Sequence, residues 1–461
     1  MANAKQIYTL SIAWFSSLLF LYSVQIFSKI SAKRKSLIIP KAVHLTYSSK
    51  STVIFRDKCQ LGDLFTHDNC FKMPSEQQSI YTFQFILLCL SSLLFSSSFN
   101  MIIPELPNYL SSMGGAEYKG LIIALFTLTA GISRPFSGKL TDRWGRVPVM
   151  AIGSIVCFIC GFLYPILTTV AGFLFLRLIH GFSTGFKPTS TSAYVADLVP
   201  QKRWGEALGM HGLAFSVGTA VGPAIGSAIF DAFGINVMFY SSSFMALLSI
   251  LIVINMKETL VKKEKFNLSM LKINRKDIIE WRALPAGIVT FLSYTAYGVI
   301  LTLIPDWSEH LGLKNKGLFF LAFTIASVMI RFVSGKVSDR YGRPKVIITG
   351  LVIIAFALVV VGSQDSFIGM MTGASIYGIG TGILSPAVNA WTIDLSIPEH
   401  RGKAVATMYI SLEAGIGLGA LLAGLYYADV ILRIPQIMYA NAVVLVIALC
   451  YMLNWQRKSQ R

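Results

Sequence analysis

Apolar stretches of about 18–25 residues recur along most of this 461-residue chain, and short charged segments separate them. An α-helix needs about 20 apolar residues to cross ~30 Å of hydrocarbon, and within a bilayer each backbone polar group must be satisfied inside its own segment. Only 13% of the residues are charged, compared with about 25% in a typical soluble domain. The pattern predicts an all-α integral membrane protein.

Twelve spans can be drawn from about residue 80 onward. Their limits are 80–103, 117–137, 147–167, 170–196, 206–230, 234–255, 284–304, 316–335, 345–363, 367–394, 404–427 and 435–455. Most Lys and Arg residues fall on one side of these spans, and the opposite side holds only Lys119, Lys314, Lys316 and Arg433. The positive-inside rule therefore predicts that both ends of the twelve-span unit lie in the cytoplasm. Because the basic residues lie between apolar spans, the net charge of +18 indicates membrane orientation and not nucleic-acid binding.

An internal repeat relates the two parts of this unit. A shift of 197 residues carries Gly138–Arg146 (GKLTDRWGR) onto Gly335–Arg343 (GKVSDRYGR). The same shift pairs Arg134 with Arg331, Gly181 with Gly378, Gly185 with Gly382, Asp197 with Asp394, Gly205 with Gly402, Gly218 with Gly415 and Gly222 with Gly419. Apolar composition alone would not align charges and glycines in this way. We therefore expect two six-helix bundles related by a pseudo-two-fold axis, with a site between them near mid-membrane.

The repeat divides the chain into an N-terminal extension (1–75), a first half (76–256), a charged cytoplasmic linker (257–282) and a second half (283–461). Within the extension, segment 7–29 is apolar enough to span the membrane. It is a poor secretory signal, because only Lys5 precedes it and no clear cleavage site follows. Two alternatives stay open: a thirteenth helix with its N-terminus outside, or a true start at Met73.

The duplicated segment resembles the loop between the second and third helices of the major facilitator superfamily, whose pattern is G-x-L-x-D-R-x-G-R. Arg177-x-x-x-Gly181 in the fourth span agrees with the family, and Gly218–Gly226 in the fifth resembles the antiporter motif of proton-coupled exporters. The resemblance covers about 76–461 and is nearest to arabinose-efflux-like and multidrug exporters. It implies a monomeric secondary transporter in the cell membrane, which is the inner membrane if the source is bacterial.

The resemblance also implies a conformational gate in the duplicated loops. In the family, the residue equivalent to Asp142 caps a helix end across the interface between the halves, where an anion is favoured. Arg146 is expected to pair with Asp197, and Arg343 with Asp394. The alternative is that these charges only set the orientation. The full candidate gate comprises Gly138, Asp142, Arg143, Gly145, Arg146, Asp197, Gly335, Asp339, Arg340, Gly342, Arg343 and Asp394.

Three cationic or titratable residues lie well inside the fourth span, where an unpaired charge is costly and usually faces a cavity. Arg177 matches the family's fourth-helix arginine, which the resemblance links to proton transfer. Lys187 precedes Pro188 and a run of hydroxyl residues, which predicts a polar pathway. His180 belongs either to this pathway or to ordinary packing. A positive cavity would favour an anionic or zwitterionic substrate.

Glu413 is the carboxylate that lies deep in a second-half span, and burial disfavours the charged form of such a group. We therefore predict that it couples transport to protons; the alternative is a salt bridge with Arg177 or Lys187. Asn389 is a further candidate for the pathway. Arg134 and Arg331 have two alternative roles: their side chains either snorkel to the membrane surface or make a contact in the gate.

The fifth-span motif combines small residues with a proline. Gly218, Gly222 and Gly226 predict close helix packing, and Pro223 predicts a bend. Ordinary packing without any meaning for export is the alternative.

Three functions follow in order of preference: proton-coupled efflux of a small organic molecule, proton-symport uptake of a metabolite, and a sensor on a transporter scaffold. The sequence has no metal-ligand cluster, nucleotide-binding loop or nucleophile motif, so we expect no cofactor and no enzymatic activity. The expected partners are the transported molecule, protons and lipid, and nucleic acid is not among them.

Overall fold

Twelve long helices make up most of the residues that this computed structural model describes, which are 80–200, 203–272, 279–397 and 401–459. The first half contains α1 (Phe83–Met101), α2 (Lys119–Arg143), α3 (Arg146–Leu163), α4 (Val170–Leu198), α5 (Trp204–Phe233) and α6 (Ile235–Ile254). The second half contains α7 (Leu284–His310), α8 (Leu318–Tyr341), α9 (Arg343–Ser363), α10 (Phe367–Leu395), α11 (Arg401–Tyr427) and α12 (Ile434–Ser459). The predictions about segment 7–29 and Met73 fall outside the described residues.

Eleven of the described helices are long and apolar enough to cross a membrane, which makes this a multi-pass membrane protein. The long helix that does not meet this measure is α4. Its interior carries Arg177, His180 and Lys187 as well as four consecutive hydroxyl residues at 189–192, and these lower its hydropathy. Its 29 residues are nevertheless long enough to span ~30 Å.

The helix contacts repeat between the halves. In the first half α1 packs against α5 and α6, α2 against α4, and α3 against α4 and α6. In the second half α7 packs against α11 and α12, α8 against α10, and α9 against α10 and α12. Two seams join the halves, one between α2 and α11 and the other between α5 and α8. The 197-residue shift exchanges these two seams.

Glycines bring α5 close to α1. A Cβ atom added at Gly218, Gly222 or Gly226 would lie 2.5, 2.8 or 1.9 Å from a backbone oxygen of α1. In the second half, Gly415 and Gly419 meet backbone oxygens of α7 in the same way, at 2.3 and 2.2 Å. Only a residue without a side chain fits such approaches, so the glycine pattern reflects packing within each half.

The two seams are closed at one end and open at the other. A Cβ at Gly120 of α2 would lie 2.6 Å from a backbone oxygen of α11, whereas Gly138, about five turns further on the same face, has nothing within 4 Å. Gly317 likewise meets the α5 backbone at 2.3 Å, whereas Gly335 on α8 meets nothing. We call the end with Gly120 and Gly317 the sealed end, and the end with Gly138 and Gly335 the open end.

The first part of the linker folds back onto the loop between α2 and α3. The Glu258 carboxylate accepts hydrogen bonds from the backbone N–H groups of Arg146 and Val147, at 3.0 and 3.1 Å. The rings of Trp144 and Phe266 lie 5.4 Å apart. An anion at a helix N-terminus is stabilising, so this linker also holds the start of α3 in place.

Candidate functional site

The seam between α2 and α11 contains an ion pair. Arg134 Nη2 lies 2.6 Å from Glu413 Oε1, and the two side chains are 14% and 9% exposed. A Cβ at Gly131, one turn earlier in α2, would lie 3.3 Å from the Glu413 side chain, and the Arg134 guanidinium lies 4.8 Å from the ring centre of Tyr409. Arg134 is ~21 Å along α2 from Gly120, so the pair lies at the depth of the hydrocarbon core.

This pairing corrects the alternative partner that the sequence suggested. Glu413 contacts Arg134 and not Arg177 or Lys187. The physical reason is the packing of α4, which lies against α2 and α3 of its own half. Its cations are therefore directed into the first half, away from α11. Arg134, which was expected either to snorkel or to make a gate contact, reaches across the seam.

The other seam repeats this geometry with a different partner. Arg331 Nη1 of α8 donates to Ser216 Oγ of α5 at 3.2 Å. The 197-residue shift carries Arg134 onto Arg331 and Ser216 onto Glu413. Each arginine therefore faces the same position of the opposite half, and in the described part of the chain only Arg134 meets a carboxylate there.

Arg177 and His180 belong to a buried polar network within the first half. Arg177 Nε donates to the backbone oxygen of Ile122 at 2.8 Å, and its Nη1 lies 3.4 Å from the Tyr164 hydroxyl. The His180 ring contacts the same hydroxyl at 3.2 Å and Cys157 Sγ at 3.3 Å. The polar atoms are thus satisfied inside the bundle, and a pathway role for these residues stays a prediction.

Lys187 and Asn389 also make contacts inside their own halves. The Lys187 ammonium is held by the hydroxyls of Ser91 and Ser249 and lies 4.7 Å from the ring centre of Phe95. Asn389 Nδ2 donates at 3.0 Å to a backbone oxygen one turn earlier in α10. These contacts do not bring either residue to the seam that holds Glu413.

The loop charges pair as the repeat predicted. Arg146 Nε lies 3.1 Å from Asp197 Oδ2, and Arg343 Nε lies 3.1 Å from Asp394 Oδ2. Each arginine ties the start of one helix to the end of another, α3 to α4 in the first half and α9 to α10 in the second. The gating role of these pairs stays a prediction.

The remaining loop residues face the open end. Asp142 and Asp339 are 74% and 69% exposed at their side chains, and each contacts the arginine four residues further along. Arg143 lies 3.8 Å from Glu264 of the linker, and the Arg340 guanidinium lies 5.6 Å from the neighbouring tyrosine ring. None of the described contacts of the two aspartates reaches the other half. Among the described residues, Asp142 therefore does not make the contact across the halves that the resemblance implies, and this end is open.

Two glycines of these loops have backbone conformations that other residues rarely adopt. Gly145 has a φ of 141° and Gly342 a φ of 89°, each immediately before a helix. Residues with a side chain are strained at such angles. Both glycines therefore shape the turn that places the adjacent arginine at the start of α3 or α9.

The sealed end contains a buried cation that the sequence reasoning treated only as a loop charge. Lys119 Nζ lies 2.6 Å from Asp306 of α7 and 2.5 Å from Asp429, which follows α11. Tyr427 donates to the same Asp306 carboxylate at 2.9 Å. Ala428 and Asp429 both have positive φ angles, so a tight turn directs Asp429 towards the ammonium. Lys119 therefore joins the first half to the second.

Lys316 repeats this arrangement from the second half. Its ammonium lies 2.8 Å from Glu309 and 3.6 Å from Glu105 of the first half, and Asn108 donates to Glu309 at 2.6 Å. Lys119 and Lys316 are related by the 197-residue shift, which was the available sequence signal. Their carboxylate partners do not follow that shift, so only the structure identifies them.

Comparisons with known proteins agree with this architecture. The Major Facilitator Superfamily profile matches residues 88–284 and 286–461. The multi-drug resistance efflux pump PmrA homolog of Lactococcus lactis is 27% identical over 342 residues, which cover 70% of this chain and 83% of that protein. Multidrug resistance protein 2 of Bacillus subtilis is 26% identical over 404 residues, covering 84% and 98%. An uncharacterized MFS-type transporter of Methanocaldococcus jannaschii is 25% identical over 349 residues, covering 72% and 87%.

Solved structures share the fold. The human organic anion transporter MFSD10 superimposes with a TM-score of 0.64 at 17% identity, covering 80% of this chain and 98% of that one. The nucleoside transporter NupG superimposes with a TM-score of 0.63 at 13% identity, covering 80% and 99%. At these identities the likeness concerns the fold alone.

Proposed function

This chain belongs to the Major Facilitator Superfamily, a family of transporters and not of enzymes, and we propose that it exports small organic molecules in exchange for protons. The observation that carries the proposal is the ion pair between Arg134 and Glu413. It joins the two halves at the depth of the hydrocarbon core. A titratable group in such a position can link protonation to movement of one half against the other.

The proposed coupling step is the protonation of Glu413. A guanidinium stays charged under all ordinary conditions, so the carboxylate is the member of the pair that changes charge. A proton on the carboxylate removes the Coulomb attraction across the seam. Release of the proton restores the negative charge of the carboxylate and with it the attraction. Separation of the two charges in a poorly hydrated seam is then costly. Proton uptake and separation of α2 from α11 therefore favour each other.

Export is supported by three observations of different kinds. The fifth-helix motif resembles that of proton-coupled exporters, and the bacterial relatives above are named as multidrug efflux proteins. The open end also carries the duplicated loops, which the positive-inside rule assigns to the cytoplasm. In that orientation, a molecule from the cytoplasm would enter the open cleft, and both chain termini of the twelve-helix unit would lie on the same side.

A transport assay in everted membrane vesicles tests this function. We expect an imposed pH gradient, acid inside, to drive accumulation of at least one dye from a panel of cationic, anionic and zwitterionic fluorescent probes in vesicles with the wild-type protein. Glu413→Gln should lose gradient-driven accumulation but retain probe exchange without a gradient, because only the proton-binding group has been removed. Glu117→Gln, which changes an exposed carboxylate, is the matched control.

Gradient-driven accumulation at the wild-type rate in Glu413→Gln would remove Glu413 from the coupling step. Movement of the probe together with protons, instead of against them, would favour uptake over export.

A further inference from the structure

We propose that Arg331 and Ser216 form an anion-binding subsite between the halves, which holds a carboxylate or similar acidic group of the transported molecule. This inference rests on the proposed transport function and narrows its substrate class to organic anions, including zwitterions that carry an acidic group. The two seams have the same geometry but differ in charge at equivalent positions.

The α2–α11 seam shows what this position accommodates. There the guanidinium of Arg134 meets the Glu413 carboxylate at 2.6 Å. In the α5–α8 seam the position equivalent to Glu413 is Ser216, whose hydroxyl lies 3.2 Å from the Arg331 guanidinium. Within the part of the chain that the structure describes, no carboxylate oxygen pairs with Arg331 within 4.0 Å. One seam is therefore electrically balanced, and the other presents a cation with a neutral partner.

Arg331 is placed where a solute can reach it. It lies ten residues before the end of α8, ~15 Å from that end, and its side chain is exposed. Its guanidinium contacts Ser216 on α5, so it lies in the region between the halves. Because the seams part towards the open end, this region is continuous with that opening.

The charge balance favours an anion as the occupant. An uncompensated guanidinium at membrane depth is costly once water leaves, and closure of the open end would remove that water. A carboxylate can form two parallel hydrogen bonds with a guanidinium, and the Ser216 hydroxyl offers a further donor. An acidic group on the substrate would thus supply the charge that Glu413 supplies in the other seam.

The other two cations at membrane depth in the first half do not compete for this role. The Arg177 guanidinium is directed to a backbone oxygen and a tyrosine hydroxyl, and the Lys187 ammonium to two serine hydroxyls. Both side chains are only 1% exposed. They are held within the first-half bundle, whereas Arg331 contacts the opposite half across the seam.

Equilibrium binding to the purified full-length protein in detergent tests the subsite without any proton gradient. The probes are 2-naphthoate and 2-naphthamide, which share a ring system and differ in charge, and titration calorimetry measures both Kd values. We expect naphthoate to bind about tenfold more tightly than naphthamide. Arg331→Gln should weaken naphthoate binding about tenfold and leave naphthamide within about twofold, and Arg331→Lys should fall between.

A second variant keeps the test decisive if Arg331→Gln folds poorly. Ser216→Glu copies the Glu413 arrangement and places a carboxylate against Arg331, so it should also weaken naphthoate binding about tenfold. Ser216→Gln has the same side-chain length without the charge and should keep the preference for naphthoate. Lys314→Gln removes an exposed cation at the sealed end and serves as the control for net charge.

Three results would overturn the subsite: equal affinity for the two probes, no binding of naphthoate, or a naphthoate affinity that ignores both Arg331→Gln and Ser216→Glu. Failure of the proton coupling is a separate outcome. It would appear as unchanged gradient-driven transport in Glu413→Gln while the charge preference at Arg331 persists.

Discussion

Arg134 and Glu413 stabilise each other across the seam, and each would be left as a poorly hydrated charge without the other. Removing one partner of a fully buried ion pair costs about 3–5 kcal/mol, whereas replacing both is often close to neutral. The side chains here retain some exposure. The cost of a single substitution should therefore lie below that range.

We predict that Arg134→Gln lowers the free energy of unfolding by about 2 kcal/mol, because it strands the Glu413 carboxylate. Adding Glu413→Gln to this variant should recover most of the loss. Thermal unfolding of the purified proteins, followed by intrinsic fluorescence near neutral pH, measures the double-mutant cycle. Strictly additive effects of the two substitutions would show that the pair contributes nothing to the stability of this state.

Residue chemistry also explains which candidate site residues could be recognised in the sequence and which could not. Arg177, His180 and Lys187 are conspicuous in the sequence because charge within an apolar span is rare. The structure satisfies them with hydroxyls, a thiol and a backbone oxygen, which are common residue atoms that no pattern singles out. Ser216 was missed for the same reason: a serine in an apolar helix carries no signal until its neighbour is known.

At the scale of helices, the packing of α5 against α1 depends on glycine at specific turns. Gly226 has the tightest fit of the three motif glycines, since an added Cβ would lie 1.9 Å from a backbone oxygen of α1. Gly212 lies on the same helix and has nothing within 4 Å. A substitution to alanine at each of these two positions therefore distinguishes the effect of tight packing from the effect of helix propensity.

We predict that Gly226→Ala destabilises the first half by more than about 2 kcal/mol, because backbone cannot yield as a flexible side chain can. Gly212→Ala should be neutral or stabilising by up to about 1 kcal/mol, since alanine favours the helix over glycine. Thermal unfolding and the yield of monodisperse protein from detergent extracts are the measurements. Equal behaviour of the two variants would contradict the tight approach of α1 and α5.

The linker both connects the halves and holds the start of α3 in place, and its composition indicated only the first of these roles. Its charge and polarity predicted a connection between the halves. The structure adds that Glu258 caps α3 and that Phe266 packs against the α2–α3 loop. Cap and ring contacts join residues more than a hundred positions apart, so no local pattern reveals them.

For the whole molecule, the two seams and the two lysines define the state that the structure describes. Lys119 and Lys316 each make an ion pair with the opposite half at the sealed end, while a Cβ added at Gly138 or Gly335 of the open end would meet nothing within 4 Å. Alternating access requires these contacts to break when the sealed end opens. The ion pairs should therefore bias the equilibrium towards the present state.

We predict that Lys119→Gln combined with Lys316→Gln shifts the population towards molecules open at the sealed end. Spin labels at Ser112→Cys and Lys314→Cys, one on each half, report this by pulsed electron resonance as a longer distance population. Each single lysine variant should give a smaller shift than the pair. Lys345→Gln, an exposed cation at the other end, should leave the distances unchanged. An unaltered distance distribution in the double variant would show that other contacts hold the sealed end.

The span pattern and the 197-residue repeat determined the membrane class and the helical fold from the sequence alone, and the motif inside the repeat carried the resemblance to the family. Both are properties of the chain read along its length, and they follow from hydrophobic thickness and from duplication. The loop pairs Arg146–Asp197 and Arg343–Asp394 could be predicted for the same reason, because the duplication preserved both members of each pair.

The partners across the seams were decided only by the tertiary structure. Glu413 has no acidic counterpart in the first half, and the carboxylates around Lys119 and Lys316 do not follow the repeat. Which of several residues an arginine or lysine meets depends on how two bundles are set against each other. That register arises from packing between residues far apart in the chain, such as Gly120 against α11 and Gly317 against α5, and short-range sequence patterns do not encode it.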